Sequence, residues 1–290
     1  MTIFNEFSTL TQVAIRNPLS AFINEQKLLD EWKSLRFHSK PNLGEAVKEF
    51  KEFRDLLKND GIDIIDLPSN PNLTIDSIYT RDSILVSSKG LILCNMGRTT
   101  RTPEAKENYQ SLQSSGHAIA GEILSPGTLE GGDFIWIDDK HAAVGLGPRT
   151  NEEGVNQLRH ILGKGIELHI VDLPTPDHPD DVLHLMSIIS PLDKDLALIY
   201  RPFMPSSFIL WLESLGMKFV DVSNNEYPLM GCNVLATAPR SLIMLENLPM
   251  VESSLKKVGC KIRTYKGMEI SRKGEGGPTC LTRPLKRIQV

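Results

Sequence analysis

Residues 251–265, VESSLKKVGCKIRTY, contain the pattern that decides the fold. The segment Val251–Val258 spaces its apolar side chains at helical intervals, and Gly259 follows it directly. Glycine in this place is typical of a helix end, because it adopts the left-handed backbone conformation without a steric penalty. Cys260–Tyr265 then predicts a short strand. The stretch therefore predicts a helix that ends at a glycine and leads into a strand.

Four further segments upstream repeat this order of helix, glycine and strand. They are Lys51–Asp60 with Gly61 and Ile62–Pro68, Tyr109–Ser115 with Gly116 and His117–Ala120, Gln157–Lys164 with Gly165 and Ile166–Leu173, and Ser206–Leu215 with Gly216 and Met217–Val222. Between successive repeats, two runs separated by turn residues predict a β-hairpin. The predicted hairpins are Ser83–Ser87 with Leu91–Asn95, Phe134–Ile137 with Ala142–Leu146, Met186–Ser190 with Leu196–Tyr200, and Asn233–Thr237 with Leu242–Leu245.

The two ends of the chain complete a fifth unit. Thr279–Thr282 predicts one arm after the last helix, and the N-terminal strand Gln12–Arg16 supplies the other. We therefore predict an α/β fold, a five-bladed α/β propeller with a pseudo-five-fold repeat of strand–hairpin–helix–strand units of about 45 to 55 residues. Residues 1–290 would form a single domain closed by the N- and C-terminal strands, with residues 18–50 as a helical excursion, interpreted as a lid. A plain α/β domain is the alternative, because its elements repeat in the same order.

Composition excludes several classes of protein. Of 290 residues, 40% are hydrophobic and 23% charged, and a net charge of −4 gives no basic surface for nucleic acid. No apolar run reaches the length of a membrane span, and the N-terminus lacks a signal-peptide pattern. Four scattered cysteines without a C-x-x-C pair predict free thiols, with neither a disulfide framework nor a zinc site. We therefore expect a cytoplasmic protein; its oligomeric state stays open, with a homodimer as one option.

Reactive and polar side chains occupy equivalent positions in the five units. Asp82 and Glu130 precede the first and second hairpins, His184 precedes the third, Asn233 opens the fourth and Cys280 opens the fifth. In a closed ring, equivalent strand ends meet near the axis, so these side chains are predicted to converge. Each also has an ordinary interpretation: Cys280 as a small buried apolar residue, His184 as a core histidine, and the two acids as turn or surface residues.

This set of groups suits a cationic substrate better than an ester or a peptide. Two carboxylates would repel anionic intermediates, whereas they can hold a planar guanidinium in paired hydrogen bonds with its central carbon against sulfur. The bound cation would favour the Cys280 thiolate, and His184 could protonate the departing amine and then deprotonate water. Arg101 and Arg149 lie on loops after the first two hairpins and could bind a substrate carboxylate.

Five short motifs resemble those of the guanidino-group-modifying superfamily, which includes dimethylarginine dimethylaminohydrolase, arginine deiminase and the amidinotransferases. They stand in the expected order and span most of the chain: Tyr79–Asp82, Leu129–Asp133, Gly147–Asn151, Leu183–Leu185 and Gly276–Cys280. The resemblance implies the five-bladed pentein fold, a small-molecule guanidino substrate, and a covalent thiouronium mechanism that uses no cofactor and no metal.

The resemblance also implies roles for individual residues. By motif, Cys280 is the nucleophile, His184 the general acid and base, and Glu130 the acid that grips the guanidinium. The implied substrate-binding residues are Asp82 as a second acid, Asp76 for the substrate amine, Arg101 and Arg149 for its carboxylate, and Asp133.

The implied activity is hydrolysis of the guanidino group of arginine or an N-methylated arginine, giving citrulline and an amine. The dimethylargininase branch is favoured because the chain is too short for the extra helical domain of arginine deiminases, and because Met186 stands where deiminases carry an acid. Arg81 with Asp82 is more like the deiminase and amidinotransferase form, and Asp82 also argues against an arginine dihydrolase, which has Asn there. The alternatives are an arginine deiminase or amidinotransferase acting on another guanidino compound, and a non-enzymatic propeller that binds a ribosomal or protein partner.

Overall fold

The repeated helix–glycine–strand pattern folds into five three-stranded sheets within residues 3–175 and 183–289, the part of the chain that the computed structural model describes. The strands are β1 Thr9–Ile15, β2 Asp63–Asp66, β3 Ile84–Ser87, β4 Gly90–Leu93, β5 Ile119–Glu122, β6 Phe134–Trp136, β7 His141–Leu146, β8 Glu167–Asp172, β9 Ile189–Asp193, β10 Leu196–Ile199, β11 Lys218–Asp221, β12 Leu235–Ala238, β13 Ser241–Leu245, β14 Lys261–Tyr265 and β15 Arg283–Ile288. The helices are α1 Pro18–Ala21, α2 Glu25–Glu31, α3 Leu43–Asn59, α4 Glu104–Gln113, α5 Glu152–Leu162, α6 Ser206–Ser214 and α7 Pro249–Lys257.

Every sheet has the same topology. In four of them a hairpin pairs antiparallel, and a third strand returns after the helix to lie parallel to the second strand, in the orders β3-β4-β5, β6-β7-β8, β9-β10-β11 and β12-β13-β14. The fifth sheet, β15-β1-β2, has the same arrangement, with β1 antiparallel to β15 and parallel to β2. The N-terminal strand thus takes the place of a hairpin's second arm beside the C-terminal strand.

The helices form where the sequence supplies a capped, one-sided apolar pattern. Helix α5 begins after Asn151, whose side chain accepts a hydrogen bond from the Gly154 backbone N–H at 2.8 Å. Its apolar residues Val155, Leu158 and Leu162 share one face, and that face is buried. Removing each such side chain from water contributes about 1.5–3 kcal/mol, which is why the apolar spacing predicts the helix.

Three local predictions were wrong. The left-handed glycine after α5 is Gly163, with φ of 87°, and not Gly165, because the helix already ends at Leu162. Thr279–Thr282 is not a strand but a turn, in which the Thr282 backbone N–H donates to the Thr279 carbonyl at 3.3 Å. The strand that pairs with β1 is therefore the following segment, β15.

The third error concerns the first arm of the third hairpin, which the sequence predicts to begin at Met186, two residues after His184. His184 stands immediately before a short 3-10 helix, Leu185–Ser187, and the Ser187 backbone N–H donates to the His184 carbonyl at 2.9 Å. The strand begins only at Ile189. This turn withdraws the histidine from the sheet and leaves its ring facing other polar groups instead of a strand neighbour.

Hydrogen bonds connect each sheet or its leading segment to the next. They join Val86 to Trp136, Asp133 to Leu185, Ser190 to Cys232, Ala236 to Arg287, and Arg283 to Ile84, at 2.7 to 3.0 Å. The contacts therefore pass through all five sheets in cyclic order and return to the first. Residues 18–50 fold as α1, α2 and the start of α3. Within the described ranges, none of the helices has both the length and the apolar character needed to cross a membrane.

Candidate active site

Cys280 lies on a turn, and the glycine-rich loop that leads into it packs closely against Tyr79 and Asn233. A Cβ atom at Gly276 would lie 2.1 Å from the Tyr79 ring, and one at Gly277 would lie 2.5 Å from the Asn233 side chain. Only glycine permits this close approach, and the loop consequently holds the half-buried thiol beside Asn233. The Asn233 Nδ2 group donates to the Cys280 Sγ atom at 3.3 Å, while its Oδ1 atom accepts from both the backbone and the hydroxyl of Thr279.

The histidine and the glutamate predicted to meet it are in direct contact. His184 Nε2 lies 2.8 Å from Glu130 Oε2, and both side chains are buried. The other Glu130 oxygen accepts a hydrogen bond from the Arg98 backbone N–H at 2.9 Å and lies 3.4 Å from Arg149 Nη1. Gly132 is packed beneath the imidazole, because a Cβ atom there would lie 2.5 Å from His184 Nδ1. The ring is therefore fixed from two directions.

Asp133 holds this pair in place. Its Oδ2 atom accepts from the Thr150 hydroxyl at 2.7 Å, and its Oδ1 atom accepts from the Leu185 backbone N–H at 3.0 Å. Thr150 in turn accepts from the Glu130 backbone N–H at 3.2 Å. Asp133 lines neither of the clefts described below, so these contacts give it a positioning role; its predicted contact with substrate stays a prediction.

Arg101 holds Asp82 through one of its two carboxylate oxygens. Its Oδ2 atom pairs with Arg101 Nη1 at 2.7 Å, whereas Oδ1 has no hydrogen-bond partner among the described residues and lies 3.9 Å from His184 Nδ1. The other nitrogens of Arg101 donate to the Glu104 carboxylate and to the Tyr79 carbonyl. Arg101 thus orients Asp82 in this structure, and its predicted contact with a substrate carboxylate stays a prediction.

Arg98 is a site residue that sequence reasoning missed. Its Nη1 atom pairs with Asp76 Oδ2 at 2.8 Å, three residues before the arginine that the sequence selected on the same loop. Asp76 is buried and lines the first of the two clefts described below, and its predicted contact with a substrate amine stays a prediction. The only sequence signal for Arg98 is that Arg98 and Arg101 stand close together on one loop. Their spacing does not show which of the two contacts Asp76.

Two clefts meet at the thiol and the imidazole. The first encloses about 520 Å³, including its open mouth, and is lined mainly by charged groups: Arg36, Asp76, Asp82, Arg98, Arg101 and Arg149. The second encloses about 780 Å³ and has a more apolar lining that includes Met186, Tyr227, Pro228 and Met230. Cys280, His184 and Glu275 line both clefts. A ligand with its reactive carbon at sulfur would therefore extend one end into each.

The acid cluster, defined here as Asp82, Glu130, Asp133 and His184, favours a protonated imidazole. Burial disfavours the charged ring, but the carboxylates of Asp133, Asp82 and Glu130 outweigh it and raise the pKa of His184 to about 9. Burial raises the pKa of Asp133 to about 6. Burial would also raise the pKa of Glu130, but the hydrogen bond and charge of His184 hold it below its usual range. The imidazole is therefore an acid at neutral pH.

The thiol is held in its neutral form in the absence of a ligand. Burial, and next the negative charge of Asp82, raise the pKa of Cys280, while the hydrogen bond from Asn233 opposes them. A cation placed between Asp82 and the sulfur would neutralise that carboxylate's effect and favour the thiolate.

The same cluster has the residue types of a metal site. Asp82, Glu130 and His184 offer ligand atoms that all lie within 4.8 Å of one another, within the part of the chain that the structure describes. These side chains are also the ones that form the hydrogen-bonded acid cluster. The sequence predicted no metal, and that stays a prediction.

Comparisons with known proteins give the family. The family described as "N,N dimethylarginine dimethylhydrolase, eukaryotic" matches residues 21–287. A dimethylarginine dimethylaminohydrolase of Pseudomonas aeruginosa is 25% identical over 244 residues, 84% of this chain and 89% of that protein. An arginine deiminase of Streptococcus gordonii is 22% identical over 317 residues, 97% of this chain and 75% of that protein.

Solved structures share the fold. A dimethylarginine dimethylaminohydrolase from Pseudomonas aeruginosa, complexed with citrulline, superposes with a TM-score of 0.76 at 22% identity, covering 96% of this chain and 99% of that one. An amidinotransferase of Microseira wollei from the saxitoxin biosynthetic pathway gives 0.77 at 18% identity, covering 99% and 97%. Because the family match covers residues 21–287, the chain belongs to the dimethylarginine dimethylhydrolase family of the guanidino-group-modifying superfamily and is a hydrolase acting on C–N bonds of linear amidines.

Proposed function

We propose that this protein hydrolyses the guanidino group of arginine or of an N-methylated arginine, giving citrulline and an amine through a covalent adduct on Cys280. The observation that carries the proposal is the junction of the two clefts, where Cys280 and His184 face the buried Asp82, whose Oδ1 atom has no hydrogen-bond partner among the described residues. A nucleophile, a proton donor and a cation-binding acid are the groups that this chemistry needs.

The first cleft is the proposed site of the amino-acid end of the substrate. Asp76 would accept hydrogen bonds from the α-ammonium group, and Arg149 and Arg101 would lie near the carboxylate. The guanidinium would then reach Asp82 Oδ1, an acceptor to which none of the described residues donates a hydrogen bond. Holding both ends of the substrate fixes its central carbon beside sulfur, which reduces the entropy lost in the reaction.

The proposed reaction has two displacement steps. The Cys280 sulfur attacks the guanidinium carbon, and the bond from that carbon to the alkylated nitrogen breaks as protonated His184 donates its proton to the departing amine. A planar thiouronium then links substrate to sulfur. Water adds to the same carbon, the now neutral His184 takes a proton from it, and the carbon–sulfur bond breaks. The remaining hydroxyl proton of the adduct passes to the released amine, which becomes an ammonium ion. Citrulline leaves, and the thiolate and the imidazolium are regenerated.

The second cleft favours an N-alkylated substrate. Its lining near the thiol includes Met186, Tyr227 and Met230, which would pack against methyl groups better than against a bare ammonium group. Position 186 itself carries methionine and not an acid, so it offers an unsubstituted nitrogen no ionic partner. The departing dimethylamine or methylamine would be released into this cleft.

We also propose that residues 1–290 form one closed five-bladed propeller. The cyclic hydrogen bonds among the sheets and the β1–β15 pairing support closure, because each sheet is then bonded to two neighbours. Small-angle X-ray scattering should give the compact profile of a closed ring. A profile that fits only an opened arc of sheets would contradict it.

A substrate panel tests the proposed activity. The purified protein is given arginine, mono- and dimethylarginines, agmatine and guanidino acids, with and without an acceptor amine, and citrulline-type product and released amine are measured. We expect turnover of methylated arginines without an acceptor, and loss of it in Cys280→Ser. Ammonia from arginine alone would indicate a deiminase, and a requirement for the acceptor would indicate a transferase.

A further inference from the structure

Three arginines and one glutamate form a second buried cluster of charge, outside the acid cluster. Glu6, Arg81, Arg283 and Arg287 are each more than nine-tenths buried, and we call them the arginine cluster. Arg283 and Arg287 come from β15, whereas Arg81 comes from the segment before β3. Glu6 pairs with Arg81 at 3.1 Å. With one carboxylate against three guanidinium groups, the cluster holds two positive charges in excess.

Some N–H donors of the arginine cluster have no acceptor among the described residues. Arg81 donates from Nε to the Thr279 carbonyl at 3.1 Å and from Nη1 to Glu6. Arg287 donates from Nη1 to the Ser8 and Ala236 carbonyls, at 2.6 and 2.9 Å. Three buried nitrogens, Arg81 Nη2 and Arg287 Nε and Nη2, have no acceptor among the described residues. Buried donors are almost always satisfied in folded proteins, so these three require an acceptor, either a bound water or an ion.

The excess positive charge of the cluster favours an anion as the acceptor. Several guanidinium groups in a site of low dielectric repel one another, and a single carboxylate offsets only part of that repulsion. Burial, and next the charge of Arg81, lower the pKa of Arg283 to about 9, with Glu6 acting in the opposite direction. An anion among these groups would satisfy the donors and offset the excess charge together.

The cluster is also reachable from solvent. A cleft of about 330 Å³, including its open mouth, is lined by residues 3–6, by Trp136 and by residues 283–287. Its walls include Glu6, Arg283 and Arg287. Because the three donors are buried and a carboxylate, Glu6, stands in the wall of the cleft, a small monovalent anion fits better than a phosphate group.

We propose that the arginine cluster is a binding site for a small monovalent inorganic anion of the chloride class. The anion would accept hydrogen bonds from Arg81 and Arg287 and bridge β15 to the segment that leads into β3. Arg81 is also the residue whose backbone N–H donates to the Cys280 carbonyl at 3.2 Å. Anion binding would therefore stabilise the fold next to the turn of the nucleophile, without taking part in the reaction.

The test measures Tm of the full chain in chloride and in gluconate at constant ionic strength. A bound anion stabilises the folded state in proportion to its saturation, so we expect a saturable upward shift of Tm in chloride only. Arg287→Met, which keeps an apolar stem, should lose the chloride dependence. The control Arg240→Met removes an arginine paired with Asp193 and Asp195 on the surface and should keep it.

A second measurement protects the test from a variant that fails to fold. Crystals of the unaltered protein grown in bromide should show an anomalous peak within hydrogen-bond distance of Arg81 and Arg287. Equal Tm in chloride and gluconate, or bromide crystals without that peak, would overturn the proposal, with water then meeting the three donors. A chloride dependence that persists unchanged in a folded Arg287→Met would place the anion elsewhere and overturn it as well.

Discussion

The acid cluster and the arginine cluster are both buried, but they carry opposite charge. Asp82 and Arg81 are neighbours in sequence, yet the carboxylate of Asp82 belongs to the first and the guanidinium of Arg81 to the second. Three carboxylates around one imidazole leave negative charge in excess, which suits a cationic ligand beside sulfur. Three guanidinium groups around one carboxylate suit an anion. The difference teaches that two adjacent residues in the turn before β3 can serve binding sites of opposite charge.

The largest effect expected in the acid cluster comes from its sulfur. Cys280→Ser should lower kcat by about 10³-fold or more, because the hydroxyl is a much poorer nucleophile than a thiolate. Cys260→Ser is the matched control, since this thiol lines neither cleft. Cys280→Ser should keep the Tm of the unaltered protein, whereas Cys260→Ser, whose side chain is buried in the core, should lower Tm and leave kcat unchanged. Citrulline production retained in Cys280→Ser would show that Cys280 is not the nucleophile. It would also remove the functional difference between the acid cluster and the arginine cluster.

The next effect tests the charge of the cluster through its pH dependence. His184 is an acid until the pH passes its pKa of about 9, so kcat/KM should fall as the pH rises through that value. Glu130→Gln removes one of the carboxylates that raise this pKa, and the alkaline limb should move to lower pH by about one unit or more. Glu152→Gln, on the exposed first turn of α5, should leave it in place. An alkaline limb that does not move in Glu130→Gln would show that the pair does not control the proton.

The same pKa shift has a consequence for stability. A histidine whose folded pKa is raised contributes its stabilisation fully below the unfolded value of about 6.5 and loses it as the pH rises through the folded value. The free energy of unfolding should therefore decline between those pH values in the unaltered protein, and less so in Glu130→Gln.

A smaller effect is expected from the packing beneath the imidazole. Gly132→Ala places a methyl group 2.5 Å from His184 Nδ1, which forces the ring to shift from its present position. Overpacking of this kind costs about 1–3 kcal/mol in the free energy of unfolding, and kcat should fall with it. Gly165→Ala is the control, because a Cβ atom there meets nothing within 4 Å. Equal kcat in both variants would mean that the ring position does not limit the reaction.

The smallest effect concerns the far end of the first cleft. Arg149→Ala should raise KM more than it lowers kcat, because the contact with a substrate carboxylate is the same in the ground state and the transition state. Arg159→Ala is the matched control, because Arg159 lies in the last turn of α5 and lines neither cleft. Unchanged kinetics in Arg149→Ala would restrict Arg149 to its contact with Glu130.

Sequence reasoning found the repeat because its signals are local. A glycine after each amphipathic segment has a short-range cause, and Gly61, Gly116, Gly216 and Gly259 all adopt positive φ as expected. The sequence also predicted that Asn233 would lie near Cys280, because Asn233 opens a predicted hairpin. In the structure its side chain contacts the Cys280 sulfur. Where two local solutions compete, as at Gly163 and Gly165, the pattern alone did not decide.

The partners inside the clusters could not be predicted in the same way. Glu6 and Arg81 are 75 residues apart, and nothing near either one indicates the other. Asp133 is a substrate-binding residue by its motif, but the Thr150 hydroxyl and the Leu185 backbone N–H donate to its two oxygens. Such pairings depend on how the sheets are arranged around one another, which no segment of sequence specifies by itself.

The central claim is that a cation bound at Asp82 converts the Cys280 thiol to the thiolate. The most direct test is the pKa of Cys280, measured by ultraviolet absorbance as the difference between the unaltered protein and Cys280→Ser, with and without an unreactive amidine ligand. We predict a pKa above the usual value of a cysteine in the free protein and a clear decrease when the ligand binds. A Cys280 pKa that is the same in both states would contradict it.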